Sequence, residues 1–203
     1  YMYFDNGSGG SNTAGTLSFW IKRSSGQDTG DYLDTNYMFF ARSDNSNVFN
    51  CYFSADTTRR LEIRSTQGGS MDFQYKTNMT FSDTAAWYHI VIAIDTTDGT
   101  AADRCKLFVN GTRITSFNSQ TNFDQNDTIE WFQSDARQWW SGEWEDGTGP
   151  SRPMENYLAE VHMLDGYQYD ASYFGEFNDN GVWIPKDFKD DVTFGSEGFY
   201  LEY

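Results

Sequence analysis

Tyr157-Leu158-Ala159-Glu160-Val161-His162-Met163-Leu164-Asp165-Gly166 is the stretch on which the fold of this chain turns. His162 alternates there with Glu160, the two-residue period of a strand. Three further blocks follow in order: Phe174-Gly175-Glu176-Phe177, Gly181-Val182-Trp183-Ile184-Pro185-Lys186 and Gly198-Phe199-Tyr200-Leu201-Glu202-Tyr203. Upstream the same period recurs. In Thr16-Leu17-Ser18-Phe19-Trp20-Ile21-Lys22, Leu17, Phe19 and Ile21 share one face while Thr16, Ser18 and Lys22 share the other, which predicts a half-buried strand. Val48-Phe49-Asn50-Cys51-Tyr52-Phe53 and Arg60-Leu61-Glu62-Ile63-Arg64 are shorter versions joined by a turn-rich connection. The run from Trp87 to Ile94 is apolar on both faces apart from His89, so it predicts a central strand covered on both sides. Asn110-Gly111, between Leu107-Phe108-Val109 and Thr112-Arg113-Ile114, supplies the positive φ angles of a type I′ hairpin turn. Helix is confined to one short turn at residues 170–174, capped by Asp170 and packed by Phe174. Many short strands without a helical period give an all-β antiparallel two-sheet sandwich.

Length and composition agree. A chain of 203 residues falls within the range of one all-β sandwich, and residues 1–203 are read as a single domain. Eighteen Gly against three Pro, with 18% aromatic residues, suit strands joined by polar turns. No segment approaches the roughly 18 apolar residues of a membrane span. The chain opens on Tyr1 without an initiator methionine or leader, which predicts excision from a longer protein. Its net charge of −16 argues against nucleic-acid partners, which require clustered Lys and Arg, and against anionic membrane surfaces. Cys51 and Cys105 form a bridge or serve as small buried hydrophobes.

The ordered C-terminal blocks resemble the signature of laminin-G-like, concanavalin A-like jelly-roll domains in structural proteins of tailed bacteriophages. Residues 87–97 and 106–111 resemble the central hairpin of the same family. The resemblance implies a jelly-roll fold and a place on a virion, in a tail fibre, spike or capsid appendage. It also implies other virion subunits as partners, a homo-oligomer and, in an assembly made in a cytoplasm, reduced cysteines. Fold motifs do not carry chemistry, so function is argued from candidate sites.

Catalytic chemistry finds little support. With only His89 and His162, both in strand-like runs, a multi-histidine zinc site is excluded and structural roles are expected. No phosphate loop, paired-cysteine motif or EF-hand loop occurs. Some jelly-roll relatives are glucanases with a Glu-x-Asp-x-Glu strand. Glu143-Trp144-Glu145-Asp146 imitates it without the required spacing, so no enzyme is predicted and glycoside hydrolase is kept as an alternative. The best ligand-binding surface in the sequence is the long segment 130–154, where Trp131, Trp139, Trp140 and Trp144 lie among Asp135, Glu143, Glu145 and Asp146. Aromatic rings pack against the apolar faces of sugars and carboxylates accept their hydroxyls, so host cell-surface polysaccharide is the expected ligand. The competing reading buries these tryptophans in the sandwich edge or a subunit contact, as a purely structural docking module. No cofactor is expected. Calcium is the exception that the resemblance raises, with Asp95, Asp98, Asp103 and Asn110 as oxygen donors that match no known spacing.

Overall fold

In the computed structural model the described residues are 2–5, 9–24, 36–54, 58–134, 136–140, 143–144, 150–151, 156–188 and 191–202. With strands numbered in chain order, one sheet runs in the spatial order β1 (Met2–Asp5), β11 (Arg137–Trp140), β3 (Asn36–Arg42), β4 (Val48–Phe53), β5 (Arg60–Gln67), β6 (Ser70–Thr80), β10 (Phe117–Thr121). The other runs β17 (Phe199–Leu201), β14 (Asn156–Asp165), β2 (Ala14–Arg23), β7 (Tyr88–Asp95), β8 (Cys105–Val109), β9 (Thr112–Ile114). Two small hairpins, β12 (Glu143–Trp144) with β13 (Pro150–Ser151) and β15 (Gly175–Phe177) with β16 (Trp183–Pro185), complete the described strands. All pairings among them are antiparallel, and the two large sheets form the expected jelly-roll sandwich. Among the described residues no helix is long and apolar enough to cross a membrane.

The core lies between the sheets because alternate residues of each strand turn inward. Leu17, Phe19 and Ile21 of β2 meet Phe49, Cys51, Ile63 and Phe73 of the seven-stranded sheet. The outer face of β2, which reads as polar in sequence, is buried as well: Thr16 and Ser18 are inaccessible. Residues 167–169 cover it at Thr16. Thr16 Oγ1 donates to the Tyr167 carbonyl at 2.6 Å and accepts from the Tyr169 amide at 2.8 Å. Val91, Phe108, Leu164, Ala171 and Phe174 then make a second cluster on the outer side of the six-stranded sheet, which is why β7 is apolar on both faces. The hairpin at Asn110 and Gly111 has φ of +46° and +76°, as its residues require. Asp170 caps the short 3-10 turn Ala171–Tyr173 by accepting the Ser172 amide at 2.8 Å.

One carboxylate ties the two ends of the chain to β14. Asp165 is 4% exposed. Its Oδ1 accepts the Ser11 amide at 2.7 Å, while Oδ2 accepts the Ser196 hydroxyl at 2.8 Å and the Ser196 and Glu197 amides at 3.2 and 3.3 Å. Gly10 leaves room for it, since a Cβ there would collide with the Asp165 carboxylate. Asp165→Ala strands donors from two segments, and bonds to a charged acceptor contribute about 1.5–3 kcal/mol each before water recovers part of the loss. A destabilisation of about 3 kcal/mol in urea titration is expected; a loss below about 1 kcal/mol would show that the tie carries no weight.

Candidate functional site

The tryptophan-rich segment folds differently from its sequence reading. Trp131 and Trp140 are 0% and 1% exposed. Trp131 meets Phe39 and Phe49 edge-on at ring-centroid distances of 5.9 and 5.0 Å, and Trp140 lies 4.9 Å from Phe39 and 6.0 Å from Phe19. Neither ring is available to a ligand, which corrects the assignment of these two residues. The physical reason is register: β11 is inserted between β1 and β3, with Trp140 opposite Phe39, so an inner strand replaces the expected exposed loop. Trp139 stands opposite Phe40 and Tyr3. Glu143 and Trp144 pair with Ser151 and Pro150. Asp135, Glu145 and Asp146 lie outside the described residues. Glu130, in the same segment, is 1% exposed, and its Oε1 accepts from Gln67 Nε2 at 3.1 Å and Gln133 Nε2 at 2.7 Å.

The outer face of the seven-stranded sheet carries an arrangement of greater chemical interest. Cross-strand register aligns Phe40, Asn50, Arg64, Gln74 and Thr121 in one row. Tyr37, Tyr52, Glu62, Lys76 and Ser119 make the next. At one end Tyr37, Phe40 and Tyr52 form a buried aromatic cluster, with Tyr37 edge-on to each of the others at 5.4 Å. Along the rows Ser119 Oγ donates to Gln74 Oε1 at 2.7 Å and Gln74 Nε2 donates to Glu62 Oε1 at 2.7 Å. Lys76 Nζ lies 3.5 Å from Glu62 Oε2, and Arg64 Nη1 donates to the Tyr52 hydroxyl at 3.2 Å. Burial pushes the Tyr52 hydroxyl pKa well up and keeps it neutral.

Two neighbouring polar atoms on this face are unsatisfied. Asn50 Oδ1 accepts no hydrogen bond and Arg64 Nε donates none, although Asn50 and Arg64 are direct cross-strand partners. Glu62 Oε1 is 3.8 Å from Arg64 Nε, beyond hydrogen-bond reach. Each orphan costs about 1–3 kcal/mol of unrecovered desolvation. One is an acceptor and the other a donor.

The two histidines are structural, as expected, and neutral. His89 stacks on Trp20 at 5.0 Å, accepts Trp183 Nε1 at Nδ1 (3.0 Å), and lies 2.9 Å from Ser18 Oγ through Nε2. An accepting Nδ1 places the ring proton on Nε2, which donates to Ser18. Burial first, then the proximity of His162, pushes its pKa down to about 3. His162 is stacked on Tyr200 at 4.6 Å and edge-on to Phe188 at 4.1 Å, and neither nitrogen finds an aligned partner. Burial pulls its pKa down to about 4 against a smaller opposing pull from the backbone of Glu160 and Ser18. Cys51 and Cys105 are free, buried thiols, and burial pushes both pKa values well up, so neither is a nucleophile.

The calcium candidates are dispersed into local roles. Asp95 Oδ1 accepts the Thr97 amide and hydroxyl, and Asp98 Oδ1 accepts the Thr100 amide. Asp103 pairs with Arg113 at 2.7 Å, and Asn110 Oδ1 accepts the His89 amide at 2.8 Å. Among the described residues no three His, Cys, Asp or Glu side chains converge on a metal-sized space.

Known proteins place the chain. The family model of the concanavalin A-like lectin/glucanases superfamily matches residues 1–149, which leaves the C-terminal motif blocks outside the match. No curated protein sequence matches. Among solved structures, the heptameric SAP-like pentraxin of Limulus polyphemus superposes with a TM-score of 0.53 at 16% identity, covering 80% of this chain and 69% of the pentraxin. The LG1-3 region of the laminin alpha2 chain superposes with a TM-score of 0.55 at 8% identity, covering 83% of this chain, which spans 30% of that region. Identities this low establish the shared fold alone.

Proposed function

Because this chain belongs to the concanavalin A-like lectin/glucanases superfamily, we propose that it is a non-catalytic domain that binds cell-surface glycan through the outer face of its seven-stranded sheet. The observation that carries this reading is the polar row of that face, where register aligns the half-buried side chains of Asn50, Arg64 and Gln74 beside Lys76. Glu62 joins Gln74 and Lys76 in extending that row, which is backed at one end by the buried cluster of Tyr37, Phe40 and Tyr52. The non-catalytic half of the reading is supported by Glu130, whose burial keeps a glycosidic oxygen out of reach. Glycoside hydrolase is accordingly the weaker alternative.

The finer placement is a tailed-bacteriophage virion, with the domain on the particle surface in a tail fibre, spike or capsid appendage that contacts the host. Its support is the ordered series of motif blocks at residues 157–166, 174–177, 181–186 and 198–203. Residues 1–203 act in this reading as one unit, consistent with large sheets that join β1 to β11 and β17 to β14. Other virion subunits are the neighbours, the assembly is a homo-oligomer, and Trp139, Glu143 and Trp144 are kept among the proposed ligand residues. Repeated copies raise avidity, so weak single sites suffice. A second reading, a module that only docks onto neighbouring subunits, is favoured by Phe177 and Val182, which are 58% and 56% exposed at the β15–β16 hairpin.

The test is a glycan screen of the multimerised domain with calcium present, followed by the single variants Asn50→Ala and Arg64→Met. At least one saturating glycan is expected, weakened tenfold or more by either variant, about 1.4 kcal/mol. Asn50→Ala removes a buried atom that makes no bond, so its melting temperature should not fall below that of the wild type. A screen without binders favours the docking module; a binder indifferent to both variants removes the site from this face.

A further inference from the structure

On the opposite sheet a second cleft of about 410 Å³ lies between β8, β9 and residues 168–173, within the size range of small-ligand sites. Alternation in β8 turns Cys105, Leu107 and Val109 into the core and leaves Lys106 and Phe108 outside. Arg113 of β9 is the cross-strand partner of Phe108. Across the cleft stand Tyr169 and Tyr173, whose rings lie 4.7 Å apart at 59°. The cleft therefore has two cations on one wall and aromatic rings around it.

Its hydrogen-bonding capacity is only partly used. Gln168 is a brace: Nε2 donates to the carbonyls of Ala93 at 3.3 Å and Asp103 at 2.9 Å, and Oε1 accepts Lys106 Nζ at 2.7 Å. That single bond holds the ammonium in place and leaves two of its N–H donors. Arg113 makes both of its hydrogen bonds from Nη2, to Ala102 O at 2.8 Å and Asp103 Oδ1 at 2.7 Å, which leaves Nε and Nη1 with three. On the acceptor side, Asp170 Oδ1 takes the Ser172 amide and hydroxyl, and Oδ2 is unengaged. The unused groups are thus five charged donors and one carboxylate oxygen, beside three aromatic rings.

We infer that this cleft is a second saccharide site, selective for a carboxylate-bearing sugar residue such as a hexuronic acid. A sugar carboxylate is the partner for Lys106 and Arg113, and charge-assisted bonds of this kind are about twice as strong as neutral ones. Tyr169, Tyr173 and Phe108 offer faces for the apolar side of the ring, and Asp170 Oδ2 accepts a hydroxyl. Arg113 already pairs with Asp103, whereas Lys106 bonds only the neutral Gln168 amide; a neutral sugar adds no anion for Lys106 or for the remaining Arg113 donors. A polyphosphate meets the repulsion of a chain with net charge −16, whereas one carboxylate per sugar residue keeps that repulsion small. This inference goes beyond the site on the seven-stranded sheet and does not depend on it.

Titration of the isotopically labelled domain with glucuronate, glucose and acetate, read by chemical shifts of Tyr169 and Tyr173, tests it. Saturable glucuronate binding is expected, weakened at least tenfold by Arg113→Gln and by Lys106→Met, and weakened by 0.5 M salt. Glucose and acetate at the same concentrations should bind at least tenfold more weakly, and the Asn50→Ala/Arg64→Met double variant should bind glucuronate like the wild type. Equal binding of glucose or of acetate overturns the proposal, as does an absence of binding or indifference to Arg113→Gln. Glucuronate binding lost in the double variant and kept in Arg113→Gln moves acidic-sugar recognition to the other face, overturning the cleft while leaving the glycan reading intact.

Discussion

Trp131→Ala and Trp140→Ala are each expected to lower stability by about 3–5 kcal/mol, the range for deleting a large aromatic side chain from a packed core. Both rings are enclosed by aromatic partners: Phe39 touches both, Phe49 packs on Trp131 and Phe19 on Trp140. The strand that carries Trp140 is held on both sides, so the backbone cannot easily collapse into the hole. Domains of this kind have about 5–15 kcal/mol in total, so the double variant should be largely unfolded at room temperature. Because the two residues share Phe39, their effects should not simply add. Urea titration with comparison of slopes separates stability from compactness. The informative contrast is with Asn50→Ala and Arg64→Met. Those should lose ligand and keep the fold, whereas the tryptophan variants should lose ligand only to the extent that they lose the fold. A Trp140→Ala protein as stable as the wild type, yet unable to bind glycan, would overturn the placement of this ring in the core.

Periodicity made much of the fold legible. The all-apolar run of β7, the Asn110–Gly111 turn and the Asp170 cap are local patterns whose physics is contained within a few residues, and each was readable before any tertiary contact was known. What was not legible depends on register. In Arg137-Gln138-Trp139-Trp140, Gln138 is as buried as Trp140, and its Nε2 donates to the Trp131 carbonyl at 2.7 Å. A buried glutamine beside tryptophans breaks the polar-out, apolar-in code, so the segment reads as a decorated loop. Thr16 and Ser18 mislead in the opposite direction: they look solvated, and are covered because their hydroxyls bond Tyr167 and His89. The Asn50 and Arg64 pair was half visible. Alternation puts Asn50 and Tyr52 off the core face of β4, and Glu62 and Arg64 off that of β5. Only the pairing of the two strands sets Asn50 against Arg64 and shows that neither is satisfied. Thus the elements follow from short-range pattern, while the candidate site follows from cross-strand neighbours some 14 positions apart, which no local period encodes.

Acid is expected to destabilise this protein well before its carboxylates titrate. An unfolded histidine takes up a proton near pH 6.5, whereas the folded state holds His162 neutral to about pH 4 and His89 to about pH 3. Below pH 6.5 the unfolded state therefore binds more protons than the folded one. Stability is full above that value and falls as pH drops, by about 1.4 kcal/mol per pH unit for each histidine once the unfolded side chains are charged. With both acting, a loss of about 4 kcal/mol by pH 5 is expected, a large share of the total stability of a domain. Asp103, held below its ordinary value by Arg113, adds its own loss only below about pH 4. His162→Phe separates the two contributions. The ring sits among Tyr200, Phe188 and Phe174 with no aligned hydrogen bond to lose, so phenylalanine should fold at least as well at pH 7.5 and halve the acid slope. His89 has no such substitute, because Ser18 and Trp183 would both lose their partner. Urea midpoints at pH 7.5, 6.5, 5.5 and 4.5 for the wild type and His162→Phe decide the matter. Equal midpoints from pH 7.5 to 4.5 in the wild type would mean that the buried histidines are accessible to protons in the folded state, and the neutral aromatic packing described for them would have to be abandoned.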